Sequence, residues 1–356
     1  MNKKYYVSLD NWKGAAMLWI VLGHIGFLFI NARFFHSDSL LISVYKFCDL
    51  ITPVVDAFLI TTGFLFAKKV LDNSLLNYGA FLKSRALRIL PIYLTVLLSV
   101  YLVERDFFLL EKTTLRDFVP YIFLFQNYRG HINMLNHTWY IALITQFYIL
   151  FGALFWAFSK AVRDKENRRV TLLICLSFLI AAITAIKWKY AQSYDSRMLQ
   201  YRCDAILFGC ILFLVEESLT AGGTKLPHLL RNISFAVGAS SFGVIAMTAP
   251  HAYGKHPFLM TANYLSIGLM IMGTNDEKDR AILIPRSRNV LGYIGKYSLG
   301  IYLCHVPIIV ILFNKYKIVG QNFVVLLFLS ILSGITIEKI YSYLCLSRKK
   351  PSAQAA

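Results

Sequence analysis

Charged residues are scarce in this chain of 356 amino acids, and acidic residues are the scarcer kind. Only 16% of the residues are charged, 57% are hydrophobic, and the mean hydropathy is +0.56. Soluble domains carry roughly a quarter charged residues and just under half apolar ones. Long polar stretches are also absent, because the apolar residues fall in blocks of about twenty, the length that crosses a bilayer as a helix. The composition therefore excludes a soluble globular enzyme, a secreted disulfide scaffold, a disordered chain and an outer-membrane barrel.

The six cysteines form no metal-binding or redox motif. They stand at positions 48, 175, 203, 210, 304 and 345, with no CxxC and no Cys/His ligand spacing. Most of them lie inside apolar blocks, where a cysteine behaves as a small hydrophobic residue. We therefore expect no metal site, and the cysteines do not indicate a redox compartment.

The class that remains is an all-α integral membrane protein, in which each span satisfies its backbone polar groups within its own helix. We predict ten transmembrane helices, with both termini in the cytoplasm. The predicted spans are 14–33, 48–67, 87–103, 139–159, 170–188, 203–217, 232–249, 258–274, 290–312 and 320–344. No small-residue cleavage site follows the first block, so we expect it to remain as a helix rather than to be removed as a signal peptide.

The net charge of +18 comes from 37 Lys and Arg against 19 Asp and Glu. In a soluble protein this balance would indicate nucleic acid, but here the basic residues cluster in the short segments between apolar blocks. Such clusters mark the cytoplasmic side and contact anionic lipids, so we expect membrane lipids, and no nucleic acid, as partners. A full span at 117–127 would move the basic loop 160–169 outside. We therefore predict that 117–127 is a re-entrant or interfacial piece of an outer segment, 104–138.

Lys13 and His24 are the most informative ionisable pair, because a charge at mid-membrane is costly and marks a candidate functional residue. They are eleven residues apart, which is three helical turns within about 20°, so they share a face and lie roughly 16 Å apart. At the inner surface, Lys13 is either a snorkelling anchor or an anion ligand. Near the midplane, His24 is either a structural histidine or a general base, proton relay or gate.

Two further sets of residues have both a functional and a structural interpretation. Arg85 and Arg88 are three residues apart and so point the same way from one turn at the inner surface. Two guanidinium groups suit a phosphate, although topology alone also explains them. Asp56 is deep enough that we expect it to pair with a base or to orient a histidine. His305 lies deep in the ninth predicted span, where a structural role is slightly favoured.

The motifs, taken in order, resemble those of the membrane acyltransferase-3 family. The similar segments are LDNWKGAAMLWIVLGH (9–24), DAFLITTGFLF (56–66), RALR (85–88), TWYIALITQFYIL (138–150), RCDAILFGC (202–210) and IGKYSLGIYLCHVPI (294–308). Lys13 replaces the Arg that most members carry eleven positions before the histidine of the first helix, with ten residues between the two. Ile144 and Thr145 stand where many members have acidic residues, so an acid from that helix is not expected.

The resemblance implies a single membrane acyltransferase domain over residues 1–346 and a short basic cytoplasmic tail at 347–356, in the cytoplasmic membrane of a bacterium. Members of the family move an acyl group, usually acetyl from acetyl-CoA, to a hydroxyl of a glycan or other envelope molecule. By analogy, His24 is the catalytic base, Asp56 orients it, and Lys13, Arg85 and Arg88 bind the donor. The further acceptor or structural candidates are His137, Trp139, Tyr140, Arg202, Asp204, Ser298 and His305.

We expect the donor to enter from the cytoplasm and the acceptor from the outer face. The outer segment offers Tyr128, Arg129, His131, Asn133 and His137 to a sugar, and Arg202 and Asp204 lie at the same predicted edge. Direct transfer is favoured because no GxSxG motif and no reactive cysteine occurs, but an acyl carrier at Ser298 or at a histidine stays open. We expect the chain to act without the soluble esterase-like domain fused to some members, because it ends after the tenth predicted span.

Two other classes of function stay open at this stage. A transporter of an anionic substrate would also place basic and acidic residues inside a bundle, although the sequence has no inverted repeat and no paired broken helices. A non-catalytic envelope scaffold would not need His24.

Overall fold

The computed structural model describes residues 7–31, 38–106, 114–130, 132–190, 195–221, 227–248, 253, 256–274, 289–316 and 322–347. Apolar runs form helices throughout these ranges, which contain no strand. The helices are α1 (Val7–Asn31), α2 (Asp38–Asp49), α3 (Ile51–Leu71), α4 (Tyr78–Asp106), α5 (Val119–Ile122), α6 (Gln126–Arg129), α7 (Trp139–Ala161), α8 (Lys165–Lys189), α9 (Leu199–Ala221), α10 (His228–Thr248), α11 (Pro257–Thr274), α12 (Val290–Lys296), α13 (Ser298–Tyr316) and α14 (Phe323–Ser347). Short 3-10 turns occupy Ser74–Leu76, Leu115–Phe118 and Asn133–Thr138.

The all-α multi-pass membrane architecture predicted from composition is confirmed. In the described ranges, seven helices are long and apolar enough to cross a membrane, or eight if the bent pair α12 and α13 forms one span. The two other predicted spans, 203–217 and 258–274, coincide with α9 and α11. The count of ten and the cytoplasmic position of both termini stay predictions. The predicted tail lies outside the described residues from position 348 onward.

The segment 117–127 does not form an eleventh span. It contributes to the turn Leu115–Phe118 and to the short helices α5 and α6, none of which is long enough to cross a bilayer. The Tyr93 hydroxyl donates to the carbonyl oxygen of Tyr121 at 2.8 Å, and Gln146 Nε2 donates to that of Leu124 at 2.7 Å. The segment is therefore fastened to α4 and α7. His131, one of the predicted sugar ligands of the outer segment 104–138, lies outside the described residues.

Two irregularities shape the helices that carry the site. α12 and α13 meet at an angle of 81°. α4 continues through Pro91, which has no N–H to donate to the carbonyl of Leu87. The hydroxyl of Tyr341, on α14, donates to that carbonyl instead. The missing helical hydrogen bond is thus replaced from a neighbouring helix, one residue before Arg88.

Helix α1 has a central position in the bundle. It packs against α3 on one side and against α12 and α13 on the other, while α3 packs against α9 and α13 against α14. Because α1 carries both Lys13 and His24, its neighbours α3, α12 and α13 line the path between these two side chains.

The sidedness of the bundle can be tested with two single cysteines. Ser84, near the start of α4, and Asn133, just before α7, are both exposed. We expect a cysteine at Asn133 to react with a membrane-impermeant maleimide on intact cells, and one at Ser84 to react only after lysis. The protein used for labelling should also carry Cys175→Ser and Cys345→Ser. Cys175 is the exposed one among the described cysteines and would otherwise react with the maleimide. Labelling of Asn133→Cys only after lysis would contradict the predicted orientation.

Candidate active site

Three histidines from separate segments meet inside the bundle: His24 of α1, His305 of α13 and His137 of the turn before α7. The ring centroid of His305 lies 5.0 Å from that of His24 and 5.0 Å from that of His137. His24 Nδ1 lies 2.9 Å from the carbonyl oxygen of Ile20 and 3.3 Å from His305 Nε2. His305 and His137 are buried, whereas His24 is partly exposed. Within the described ranges, neither ring nitrogen of His137 has a hydrogen-bond partner.

A cavity of about 410 Å³ opens beside this cluster, at the end of the bundle where α1 finishes. We call it the outer cavity. Its polar lining consists of His24, Asp49, Thr52, Asn133, Asn136, His137, Trp139, Arg197 and Tyr302. This volume lies in the range of pockets that hold small molecules, roughly 300–1,000 Å³. Two of the sequence candidates for the acceptor side, His137 and Trp139, therefore line one cavity together with His24.

Arg197 is held rigidly at the rim of the outer cavity. Its Nε and Nη2 donate to the two carboxylate oxygens of Asp195 at 3.0 and 2.7 Å, and its Nη1 donates to Asn136 Oδ1 at 3.1 Å. Partial burial alone would raise the pKa of Asp195, but the hydrogen bonds from Arg197 outweigh burial and leave that pKa below its ordinary value. The pair stays ionised, and it holds Asn136 in place.

A second, narrower cavity of about 120 Å³ lies at the opposite end, where α1 begins. We call it the inner cavity. It contains the three predicted donor ligands, Lys13, Arg85 and Arg88, together with the candidates Tyr140 and Ser298. Ile144 also lines it, at a position where many relatives were expected to carry an acid. The structure thus brings the three basic side chains to one cavity, and their role in binding the donor stays a prediction.

The basic residues of the inner cavity differ in how they are paired. Lys13 Nζ lies 2.8 Å from Asp10 Oδ1. The Arg85 guanidinium lies over the rings of Phe81 and Tyr148, at 5.4 and 5.3 Å from their centroids. Its buried Nε has no hydrogen-bond partner among the residues that the structure describes. Within the described part of the chain, no carboxylate lies within ion-pair distance of Arg85 or Arg88. Glu338 of α14 interacts electrostatically with Arg88 from beyond ion-pair distance.

Tyr302 and Val55 line both cavities and therefore form the wall between them. The Tyr302 hydroxyl donates to the backbone carbonyl of His137, and its ring lies 5.4 Å from that of Tyr140. Tyr302 was not among the residues predicted from the sequence. The available signal was its spacing, because Tyr302 precedes His305 by three residues and so lies on the same helical face. Asn136 and Arg197 were also missed, since neither belongs to a matched motif.

Asp56 does not orient His24, which corrects the expectation drawn from the family resemblance. Its carboxylate is fully buried, with Oδ1 2.7 Å from Arg202 Nη2. Oδ2 accepts hydrogen bonds from the Tyr253 hydroxyl and from Asn263 Nδ2, the latter at 3.0 Å. His24 Nδ1 instead faces Ile20 and His305. The other interpretation of Asp56, a structural ion pair, is the one that the geometry matches.

Arg202 and Asp204 are not exposed at an outer edge, contrary to the expectation. Both side chains are buried, and neither lines the inner or the outer cavity. Asp204 forms an ion pair with Lys187 of α8 and accepts a hydrogen bond from the Tyr264 hydroxyl at 3.2 Å. Charges on α9 must be paired inside an apolar bundle, and Asp56 of α3 and Lys187 of α8 supply the partners. These residues join α3, α8, α9 and α11.

Among the residues that the structure describes, no three or more His, Cys, Asp or Glu side chains are placed to hold a metal ion.

The structure thus places basic groups at one end of the helical bundle and histidines at the other, and α1 joins them. The chain belongs to the family described as an acyltransferase domain, which matches residues 6–338. It is 22% identical over 345 residues to the peptidoglycan O-acetyltransferase OatA of Listeria monocytogenes, covering 90% of this chain and 52% of the relative. It is 22% identical to the O-acetyltransferase OatA of Staphylococcus aureus, with 90% and 53% covered.

Another relative, the protein YrhL of Bacillus subtilis, is 23% identical over 337 residues, covering 87% of this chain and 49% of the relative. The chain thus spans about half the length of the curated relatives it matches. No solved structure matches it.

The ion pair between Asp56 and Arg202 gives a testable consequence. Removing one partner leaves an uncompensated buried charge, which costs about 3–5 kcal/mol, whereas replacing both by apolar residues is often close to neutral. We expect Asp56→Leu and Arg202→Met each to lower the melting temperature of the purified protein, and the double variant to recover much of the loss. A normally stable Asp56→Leu protein without activity would instead assign Asp56 to the reaction.

Proposed function

We propose that this protein is an O-acyltransferase of the bacterial cytoplasmic membrane. It transfers an acyl group, acetyl from acetyl-CoA, to a hydroxyl of a cell-envelope glycan. The single observation that carries the proposal is the pair of cavities at opposite ends of α1, one basic and one containing His24, separated by Tyr302 and Val55. The names of the OatA relatives, which specify O-acetyl transfer and, in Listeria, peptidoglycan, support the same chemistry and a glycan acceptor.

The inner cavity suits the donor because coenzyme A is anionic, cytoplasmic and ends in a narrow arm. Arg85 and Arg88 have no carboxylate within ion-pair distance among the described residues, and a guanidinium offers phosphate a planar set of donors. A cavity of about 120 Å³ is smaller than the pockets that enclose whole cofactors. The nucleotide would therefore stay at the cytoplasmic mouth, with the pantetheine arm directed along α1 from Lys13 towards His24.

The outer cavity suits a sugar acceptor. Asn133 and Asn136 present exposed amides, Trp139 presents a partly buried indole, and Arg197 is held by Asp195. Amide and guanidinium groups donate hydrogen bonds to hydroxyl oxygens, and an aromatic ring offers an apolar face to a sugar. The acceptor would then reach His24 from the outside, while the donor reaches it from the cytoplasm.

Neutral His24 acts as a general base in this proposal. An imidazole nitrogen accepts the proton of the acceptor hydroxyl while the hydroxyl oxygen forms a bond to the thioester carbonyl carbon. The tetrahedral intermediate then collapses with cleavage of the carbon–sulfur bond. The CoA sulfur leaves and takes the proton back from His24, so that the products are the O-acyl glycan and CoA-SH, and neutral His24 is restored. Water kept out by the wall between the cavities would not compete for the thioester.

The experiment uses purified protein in lipid vesicles, with radiolabelled acetyl-CoA and soluble peptidoglycan fragments. We expect labelled ester product from the wild-type protein and none from His24→Ala, because loss of the base leaves the hydroxyl protonated. His228→Ala, at an exposed histidine, is the matched control and should behave as wild type. Wild-type turnover by folded His24→Ala would remove His24 from the mechanism.

Two other outcomes of the same experiment would favour other mechanisms. Label that accumulates inside the vesicles without ester formation would favour the transporter. Label on the protein before acceptor is added would favour an acyl-enzyme at Ser298 or a histidine.

The donor site is tested by charge removal on α4. Arg85→Ala should raise the KM for acetyl-CoA, because a charge-assisted contact is worth about 1.5–3 kcal/mol, or roughly 10- to 100-fold in affinity. Arg88→Ala should act in the same direction but less strongly, because Arg88 is exposed. The KM for the acceptor should stay constant. Lys83→Ala, an exposed basic residue on the same helix, is the matched control. An unchanged KM for acetyl-CoA in the double arginine variant would mean that the two arginines only set the orientation of the protein in the membrane.

A further inference from the structure

The hydrogen bonds of His24 define which of its ring nitrogens carries the proton. A carbonyl oxygen can only accept a hydrogen bond, and the carbonyl of Ile20 lies 2.9 Å from His24 Nδ1. In the neutral ring, Nδ1 must therefore be the N–H, and Nε2 must carry the lone pair. Nε2 has no hydrogen-bond partner among the described residues, and the partly exposed ring lines the outer cavity. The basic nitrogen is thus the one that can meet an incoming hydroxyl.

The hydrogen bonds of His305 also define which of its ring nitrogens carries the proton. Its Nδ1 lies 2.7 Å from the carbonyl oxygen of Tyr302 and 3.1 Å from that of Ile301, so Nδ1 is again the N–H of the neutral ring. Its Nε2 therefore has a lone pair, and this atom lies 3.3 Å from Nδ1 of His24. The His305 ring is fully buried. Nε2 of His305 is therefore a fixed hydrogen-bond acceptor for Nδ1 of His24, and His305 does not line the outer cavity.

We propose that His305 is the positioning residue of His24, through the hydrogen bond from His24 Nδ1–H to His305 Nε2. This inference rests on the proposed function, in which His24 is the general base. His305 takes the place that the sequence analysis gave to Asp56, whose oxygens are engaged by Arg202, Tyr253 and Asn263. Within the described residues, no carboxylate hydrogen-bonds to His24. A neutral imidazole thus acts where an acid orients the histidine in other enzymes.

The contact acts mainly after the proton has moved. In the ground state, one Nδ1–H is shared between the Ile20 carbonyl and His305, and the carbonyl is the nearer acceptor. When Nε2 accepts the proton of the acceptor hydroxyl, His24 becomes an imidazolium, and hydrogen bonds from a charged donor are stronger than those from a neutral one. His305 therefore stabilises the state in which His24 is charged, without contacting either substrate.

Kinetics of His305 variants test this role. We expect His305→Leu to lower kcat roughly 10- to 100-fold, the range of one lost charge-assisted hydrogen bond of about 1.5–3 kcal/mol. Both KM values should stay within about twofold of wild type. His305→Gln should recover part of the loss, because its amide oxygen can reach the position of Nε2 and accept the same hydrogen bond. Equal activity of His305→Leu and wild type would overturn the proposal, as would a folded Gln variant no better than Leu.

A spectroscopic measurement tests the geometry independently of turnover. Full-length protein with ¹⁵N-labelled histidine, reconstituted in lipid nanodiscs, should show His24 as the neutral Nδ1–H form, with its signal assigned by its loss in His24→Ala. His305→Leu should perturb the His24 Nδ1 resonance, whereas His228→Leu should not. An Nε2–H form of His24, or no response to His305→Leu, would overturn the inference while leaving the proposed function intact. Normal turnover by His24→Ala would overturn the function itself.

Discussion

Close packing of α1 against α12 and α13 is the constraint on which the site depends. A Cβ on Gly14 would lie 2.0 Å from the carbonyl oxygen of Leu291, and one on Gly295 would lie 1.8 Å from that of Asp10. Only glycine fits where two backbones approach so closely. This contact fixes the start of α1 against α12, and Lys13 lines the inner cavity together with Ser298, the first residue of α13. Three helical turns further along α1, His24 lies beside His305 of α13.

A second constraint is the cost of charge inside an apolar bundle. The basic and acidic side chains of α9 are neutralised by partners on α3 and α8, and further hydrogen bonds come from tyrosine and asparagine of neighbouring segments. Such networks leave no titratable group free for chemistry. The charges of the inner cavity are different, because Arg85 and Arg88 are stacked or exposed rather than paired with acids. This contrast separates the structural charges of the bundle from those available to a ligand.

The helices could be predicted from the sequence because span length and apolar composition are local properties. Each predicted span overlaps a helix in the described part of the chain, although 290–312 is divided between α12 and α13. The shared face of Lys13 and His24 follows from helical periodicity alone. The partner of Asp56 could not be predicted, because Arg202 lies 146 residues further along the chain and the order of helices in the bundle decides the pairing. His305 could not be assigned for the same reason. On its own it suggested a structural role, and its contact with His24 depends on how α1 and α13 pack.

The wall between the two cavities explains how one histidine could serve substrates from opposite sides of a membrane. Tyr302 is held at both ends, by its hydroxyl on the carbonyl of His137 and by its position on α13 one turn before His305. A continuous channel would let water reach the thioester and would let ions cross the bilayer. Tyr302 and Val55 line both cavities and separate them. In the proposed reaction, only the thickness of these side chains would lie between the thioester and the hydroxyl. Transfer would then need a local displacement of Tyr302 rather than the rocking of whole helical bundles that a transporter requires.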